Sequence, residues 1–276
     1  MDALLHDNEF MRKLHHLPET AAPDYAAGKP YPHIVIDDFL PPAVLDQVLA
    51  EFPSPGQVKW QTFDNANEKK LAFRQAESLP TPVRELLYFL NSHPVLQFLE
   101  RLTGISGLIP DPSFTGGGCH QIERGGKLQV HVDFNKLQAV NLDRRLNLLI
   151  YLNKDWREEY GGHFELWDAA GQSCVKRVLP VFNRCVVFST TETSYHGHPH
   201  PLDCPEGRTR KSIALYYYTN GRGDGHAADG HSTVFLGSQA DVRPRQTPAE
   251  VLKYLLPPAA IDLGRWMLGV TRKTTR

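Results

Sequence analysis

From Lys127 onward the chain is a succession of short runs, KLQVHVDF, LNLLIYLN, HFELWD, VKRVLPV, RCVVFST and KSIALYYYT, separated by Gly, Asn, Asp and Pro. Runs this short, rich in β-branched and aromatic residues and closed by turn formers, are strands. Many short strands with turns between them pack as a sandwich or a jelly roll. This pattern dictates a mainly β fold.

The first third reads differently, as short helices with turns. PPAVLDQVLAEFP puts Val44, Leu45, Val48, Leu49 and Phe52 on one helical stripe, and Pro53 stops it. TPVRELLYFL begins with Thr81 as an expected N-cap and Pro82 at the first helical position. Another helix, from Val95 to Leu102, should end before Gly104. After Asn220, GRGDGHAADGHS reads as a flexible loop with His226 and His231 facing solvent, and Thr247 with Glu250 forms a capping box for a closing helix. The last segment, AAIDLGRWMLGVTRKTTR, reads as a surface-docked amphipathic helix. The expected organisation is a helical region with early strands over 1–105, a β core of sandwich or jelly-roll type over 106–220, and a loop with C-terminal helices over 221–276 in the same domain.

Several function classes drop out on composition. Lys and Arg number 30 against 31 for Asp and Glu, a formal charge of -1, so nothing favours nucleic acid as a partner. Cys119, Cys174, Cys185 and Cys204 lie far apart without a CxxC pair, against a zinc ribbon or a disulfide scaffold. The N-terminal stretch carries acids among its apolar positions and no small-residue cleavage site, and no run is long enough to span a membrane. A cytoplasmic location is the expectation.

Four stretches carry chemistry. VHVDF places His131 and Asp133 two residues apart, on one face of a strand, and GHFEL offers His163 and Glu165 at the same spacing. Spacing alone does not choose between them. SYHGHPHPL puts His196, His198 and His200 on alternate residues, which suits either a metal clip or a solvated loop. A non-heme Fe(II) site needs two imidazoles and one carboxylate on one triangular face, and a His-x-Asp with one distant histidine can supply them. A keto acid bound there needs a fixed cation for its far carboxylate, for which GRTRKSIALYYY offers Arg208 and Arg210.

The stretch Gln121 to Thr219 resembles the 2-oxoglutarate- and Fe(II)-dependent dioxygenase superfamily, in its prolyl-hydroxylase-like branch. HVDF, IYLNKDWREEYGGHFELWD, VVFSTTETSYHG and RTRKSIALYYY follow in the family's order and approximate spacing, and HIVIDDFLPPAVLDQVLAEF is similar to that branch's N-terminal segment. The resemblance implies His131, Asp133 and His196 as iron ligands and Arg210 as the keto-acid anchor, with Arg208 in reserve. It implies Tyr151 as a partner of the same carboxylate, and Gln121 stands where some members have a cofactor-facing tyrosine. His198 stands where the family often has an aliphatic residue, and it and His200 either take ordinary loop roles, the expectation, or line the substrate mouth.

By the same resemblance His163 and Glu165 become strand residues after the Gly161–Gly162 turn, and Asn183 takes a turn position often held by Gly. The resemblance also implies a double-stranded β-helix (jelly roll, cupin-like) core over 106–220, and retention of Asp133 argues for hydroxylation or a related oxidation, since related halogenases lose this carboxylate. The implied activity uses Fe(II), 2-oxoglutarate and O2, releases succinate and CO2, and hydroxylates an unactivated C–H bond of a peptide or protein side chain, an amino acid or another small molecule. The alternatives are a cupin-like metalloenzyme without a keto acid and a non-catalytic binding module. A zinc hydrolase lacks its HExxH. Trp60 to Gln75 is either a lid over the site or a plain surface loop.

Overall fold

In the computed structural model the described residues are 2–223 and 230–237. Residues Met1–Ser238 make one compact unit, and Gln239–Arg276 make a second that lies outside the described residues, as do His226 and both expected C-terminal helices. The strands are β1 (His33–Ile36), β2 (Gln61–Asp64), β3 (Glu68–Phe73), β4 (Ile109–Pro110), β5 (Gly118–Ile122), β6 (Lys127–Val132) and β7 (Lys136–Leu137). They continue with β8 (Leu142–Tyr151), β9 (Phe164–Trp167), β10 (Cys174–Val178), β11 (Cys185–Ser189), β12 (His196–His198), β13 (Arg210–Thr219) and β14 (Val234–Phe235).

The pairing order is β1-β11-β8-β13-β5-β3-β6-β12-β9-β10, antiparallel at every junction. The sheet turns back on itself at β3, whose Leu71–Phe73 half pairs with β5 while Glu68 and Lys69 pair with β6. The result is a double-stranded β-helix with β11-β8-β13-β5 on one side and β6-β12-β9-β10 on the other.

Alternation along the strands makes two cores. On β8, Leu146, Leu148 and Ile150 join the helices in the larger core, while Leu149 and Tyr151 face inward with Phe164, Leu166, Val186 and Phe188. On β13, Ile213, Leu215 and Tyr217 go to the helices, and Arg210, Ser212, Ala214 and Tyr216 line the interior cavity. Each fully buried Leu or Ile contributes about 1.5–3 kcal/mol, and the side committed to the helices fixes which polar residues must face inward.

The expected helices occur as α3 (Pro42–Ala50), α4 (Thr81–Leu90) and α5 (His93–Thr103), after α1 (Asp2–Leu5) and α2 (Asn8–Ala27). α5 ends at Gly104 in the left-handed conformation, as anticipated. α4 begins one residue early, with Pro80 in the cap position, and the Thr81 hydroxyl accepts from Arg84 Nη2 instead of a backbone amide.

The larger correction is α2, a 20-residue helix where short helices were expected, and it contains Pro18 and Pro23. Each proline removes one helical hydrogen bond, a cost of about 3 kcal/mol. Opposing this, Asp7 accepts from the amides of Glu9 and Phe10, and Phe10, Leu14, Pro18, Ala21 and Tyr25 are buried along one stripe. No described helix is long and apolar enough to cross a membrane.

Trp60 to Gln75 is not a plain surface loop. It forms the β2–β3 hairpin, closed where Asn65 Oδ1 accepts from the amides of Asn67 and Glu68.

Candidate active site

His131 and His196 face each other because β6 and β12 pair with those two residues in register. Their rings lie 4.4 Å apart between centroids. This close approach requires Gly197, since a Cβ there would come within 2.9 Å of the carbonyl oxygens of Leu128 and Gln129. Each imidazole is oriented by the backbone: Nδ1 of His131 donates to the Gln129 carbonyl and Nδ1 of His196 to the Ser194 carbonyl, both at 2.8 Å. A carbonyl only accepts, so the proton sits on Nδ1 and the Nε2 lone pairs point inward.

Asp133, just past β6, completes the group. Its Oδ1 is 3.6 Å from His131 Nε2 and its Oδ2 is 3.3 Å from His196 Nε2. Donors at adjacent corners of an octahedron with ~2.1 Å bonds are ~3 Å apart, so the three atoms suit one shared ion. Two groups of metal-ligating side chains lie close enough together among the described residues, this buried one and the exposed His15, His16 and Glu19. The rival pair is engaged elsewhere: His163 Nε2 bonds Glu158 at 2.6 Å, and Glu165 bonds Arg177 and Trp167.

Sequence reasoning missed the support beneath Asp133. Asn147 Nδ2 donates to Oδ2 at 2.7 Å and Arg144 Nη2 to the same oxygen at 3.0 Å. Arg144 is fully buried, bonds Asn147 Oδ1 through Nε and Nη2, and lies 3.4 Å from the Tyr216 ring centroid and 4.4 Å from that of Phe134. Burial works to raise the Asp133 pKa, but the Arg144 guanidinium, with His196 and His131, holds it well below the usual carboxylate range. Burial, reinforced by the neighbouring His196, lowers the His131 pKa. One carboxylate and two imidazoles facing one point are the set that non-heme Fe(II) takes.

Two connected chambers meet at these residues. The outer one, ≈ 200 Å³, is walled by Phe63, Phe73, Phe134, Tyr216 and Phe235. The inner one, ≈ 80 Å³, shares His131 and Asp133 with it and alone reaches His196, His198, Tyr151 and Arg210. β14 was not anticipated; it pairs with β6 and sets Phe235 5.5 Å from the His131 ring. Nor does His231 simply face solvent, for its Nε2 bonds Glu192 at 2.7 Å.

Arg210 enters the inner chamber from the first residue of β13. It donates through Nε to the Gly162 carbonyl at 2.8 Å and through Nη2 to the Tyr151 hydroxyl at 3.4 Å. Gly162, at φ +69, must lack a side chain, because a Cβ would meet Leu202 and the Arg210 stem. Burial raises the Tyr151 pKa against the pull of Arg210, so the phenol keeps its proton to donate. Arg208 lies outside, its guanidinium on the Lys154 carbonyl and 5.4 Å from the Tyr160 ring centroid.

The structure does not bring Gln121 to this group. On β5, His120 and Ile122 face the chamber, whereas Gln121 points to the opposite side and bonds Thr209 and the Pro53 carbonyl. His198 also departs from expectation: it is buried on β12 and borders the inner chamber, while His200 is exposed. Asn183 takes the left-handed turn at φ 62 and clasps Leu40 through both its amide atoms.

With this geometry in view, residues 117–218 match the family model described as the 2OG-Fe(II) oxygenase superfamily. That span is an oxygenase domain. The chain therefore carries the oxygenase domain of 2-oxoglutarate-dependent dioxygenases, a family whose cofactor and co-substrate are Fe(II) and 2-oxoglutarate. Its fold is similar to a prolyl hydroxylase from Trichoplax adhaerens, solved with a hypoxia inducible factor peptide fragment, at 17% identity and TM-score 0.56 over 77% of this chain and 94% of that one. A prolyl-4-hydroxylase from Pseudomonas putida matches at 17% identity and TM-score 0.50, over 77% of this chain and 100% of the other. A non-heme α-ketoglutarate-dependent epimerase from nogalamycin biosynthesis matches at 13% identity and TM-score 0.53, over 81% and 96%. No curated protein matches the oxygenase chain. At these identities the structural likenesses speak to the fold.

Proposed function

We propose that the oxygenase hydroxylates an unactivated C–H bond of an organic substrate, with Fe(II) held by His131, Asp133 and His196 and 2-oxoglutarate anchored by Arg210 and Tyr151. The observation that carries this reading is a buried cation, Arg210, bordering the same chamber as a buried two-histidine, one-carboxylate group. A His-only cupin site has no use for such a cation, and a non-catalytic module has no use for three convergent donors with open space beside them. When bound, the iron with its keto acid and O2 supplies the oxidising power for C–H cleavage, and the keto acid leaves as succinate and CO2.

The chain's own residues do the positioning. The backbone carbonyls of Gln129 and Ser194 hold the two imidazoles in one tautomer, and Asn147 and Arg144 hold the carboxylate. Gly162 lets Arg210 pass to the chamber floor, where its planar fork suits a carboxylate. The aromatic walls of the outer chamber exclude water from beside the donors and take the apolar part of the substrate, whether a side chain of a peptide or a small molecule.

Fe(II) binding and succinate release from purified variants test the ligand set. His131→Ala and His196→Ala should each abolish both, while His200→Ala should retain both. Turnover retained in His196→Ala and lost in His200→Ala would overturn the assignment.

A further inference from the structure

His198 is the residue that the proposed reaction leaves unused. It is 4% exposed, and neither ring nitrogen has a hydrogen-bond partner. A neutral imidazole carries one N–H donor and one acceptor, and leaving a buried polar group unmatched costs about 1–3 kcal/mol. Two neighbouring histidines show what a satisfied arrangement looks like: His196 on β12 has its Nδ1 on a carbonyl, and its partner across the ladder, His131 on β6, does the same.

The place of the ring says what is missing. His198 borders the inner chamber and not the outer one. It lies two residues past His196, a step of ~6.6 Å along an extended strand, and so is displaced from the metal-ligating end. Arg210 and Tyr151 border the same chamber, and Arg210 uses Nε and Nη2 on Gly162 and Tyr151. Arg210 and an imidazole N–H are both donors and cannot satisfy each other. A carboxylate, which only accepts, satisfies both at once.

We propose that His198 donates a hydrogen bond to the far carboxylate of 2-oxoglutarate, sharing that group with Arg210 and selecting a keto acid that ends in a second carboxylate. This rests on the functional reading above. It explains a histidine where the oxygenase family often has an aliphatic residue, and it assigns His198 to co-substrate recognition and not to the metal. Leu128, opposite His198 in the β6 ladder, and Leu149 give the chain of the acid apolar contact while its ends are held.

The test is calorimetric binding to the Ni(II)-loaded protein, which needs no turnover. Two acids are compared: 2-oxoglutarate and 2-oxopentanoate, which has a methyl group in place of the far carboxylate. His198→Val should weaken 2-oxoglutarate about tenfold or more and change 2-oxopentanoate less than about twofold; His198→Gln, which keeps an N–H, should recover most of the loss. Ni(II) affinity equal to the parent's in both variants shows that the fold and the ligand set persist. Unchanged 2-oxoglutarate affinity in His198→Val, or an equal loss for both acids, overturns the proposal while leaving the functional reading in place. Absence of any 2-oxoglutarate binding in the parent protein overturns both.

Discussion

At the scale of single residues, the site depends on how one carboxylate is held. Asp133 Oδ2 takes hydrogen bonds from Asn147 and Arg144, which fixes the carboxylate plane relative to the two Nε2 atoms. Replacing Asn147 with Leu removes one of these donors and also the acceptor that Arg144 Nε and Nη2 use. Metal affinity should fall about 10- to 100-fold, and a buried guanidinium left short of acceptors should cost about 1–3 kcal/mol of stability. Metal titration with urea unfolding checks both; an unchanged affinity would mean that the carboxylate is placed by the backbone alone. The convergence of His131, Asp133 and His196 was legible, because the three stand in an ordered series of motifs. Arg144 was not. In RRLNLL it reads as one of two surface charges, and the rings of Phe134 and Tyr216 against its guanidinium, the Asn147 amide oxygen and the Asp133 carboxylate make its burial tolerable. Gln121 and His120 show the converse limit: adjacent strand residues face opposite ways, and a one-residue ambiguity in register exchanges the chamber for the outside.

At the scale of elements, β12 is the weak point, since three residues bridge β6 and β9. Gly197→Ala would push a methyl group against the backbone of β6 and force the two strands apart. The expected result is a loss of about 1–3 kcal/mol together with weaker metal binding, seen by thermal unfolding and metal titration on one sample. Loss of stability with metal binding intact would mean that the ladder yields somewhere other than at His196.

The end of β1 is tied to the turn before β11 by Asp37 and Arg184, paired at 2.6 and 2.9 Å. The Arg184 bond outweighs desolvation and lowers the Asp37 pKa, so the pair's contribution is present above the unfolded carboxylate value near ~3.9 and is lost as pH falls through the lower folded one. The pair is well exposed on the Asp37 side, which limits its worth to about 0.2–1 kcal/mol. Unfolding curves of Asp37→Asn should differ from the parent's at pH 6 and converge toward pH 3; a gap that widens on acidification would contradict this. Apolar runs announced the core strands, but the β2–β3 hairpin was hidden because QTFDNANEKKLAF is polar and its fold is set by pairing with β5 and β6. α2 was hidden for a similar reason: Pro18 and Pro23 argue locally against a long helix, and the tertiary burial of its stripe overrides them.

At the scale of the whole molecule, one sheet closed on itself supports two cores, the larger shared with α2 to α5 and the smaller wrapped around the site. The jelly roll was legible because short β-branched and aromatic runs divided by turn formers follow one another from Lys127 to Thr219, whereas the polar and charged residues that β8 and β13 turn inward show only in the folded sheet. Such a site couples ligand binding to stability by mass action. Ni(II) with 2-oxoglutarate, each at about a hundred times its Kd, should add about 2.7 kcal/mol per binding step and raise Tm by several degrees. Ni(II) with 2-oxopentanoate should do less, and equal shifts for the two acids would count against a built seat for the second carboxylate.

The central claim is that the buried His131, Asp133 and His196 hold Fe(II) beside a keto acid anchored on Arg210. Its most direct test is the anaerobic visible spectrum of the protein given Fe(II) and then 2-oxoglutarate, with His196→Ala and Arg210→Ala alongside. A charge-transfer band on adding the keto acid, absent in His196→Ala and weakened in Arg210→Ala, is the predicted result. Fe(II) bound with no such band, or a band of equal strength in His196→Ala, would contradict it.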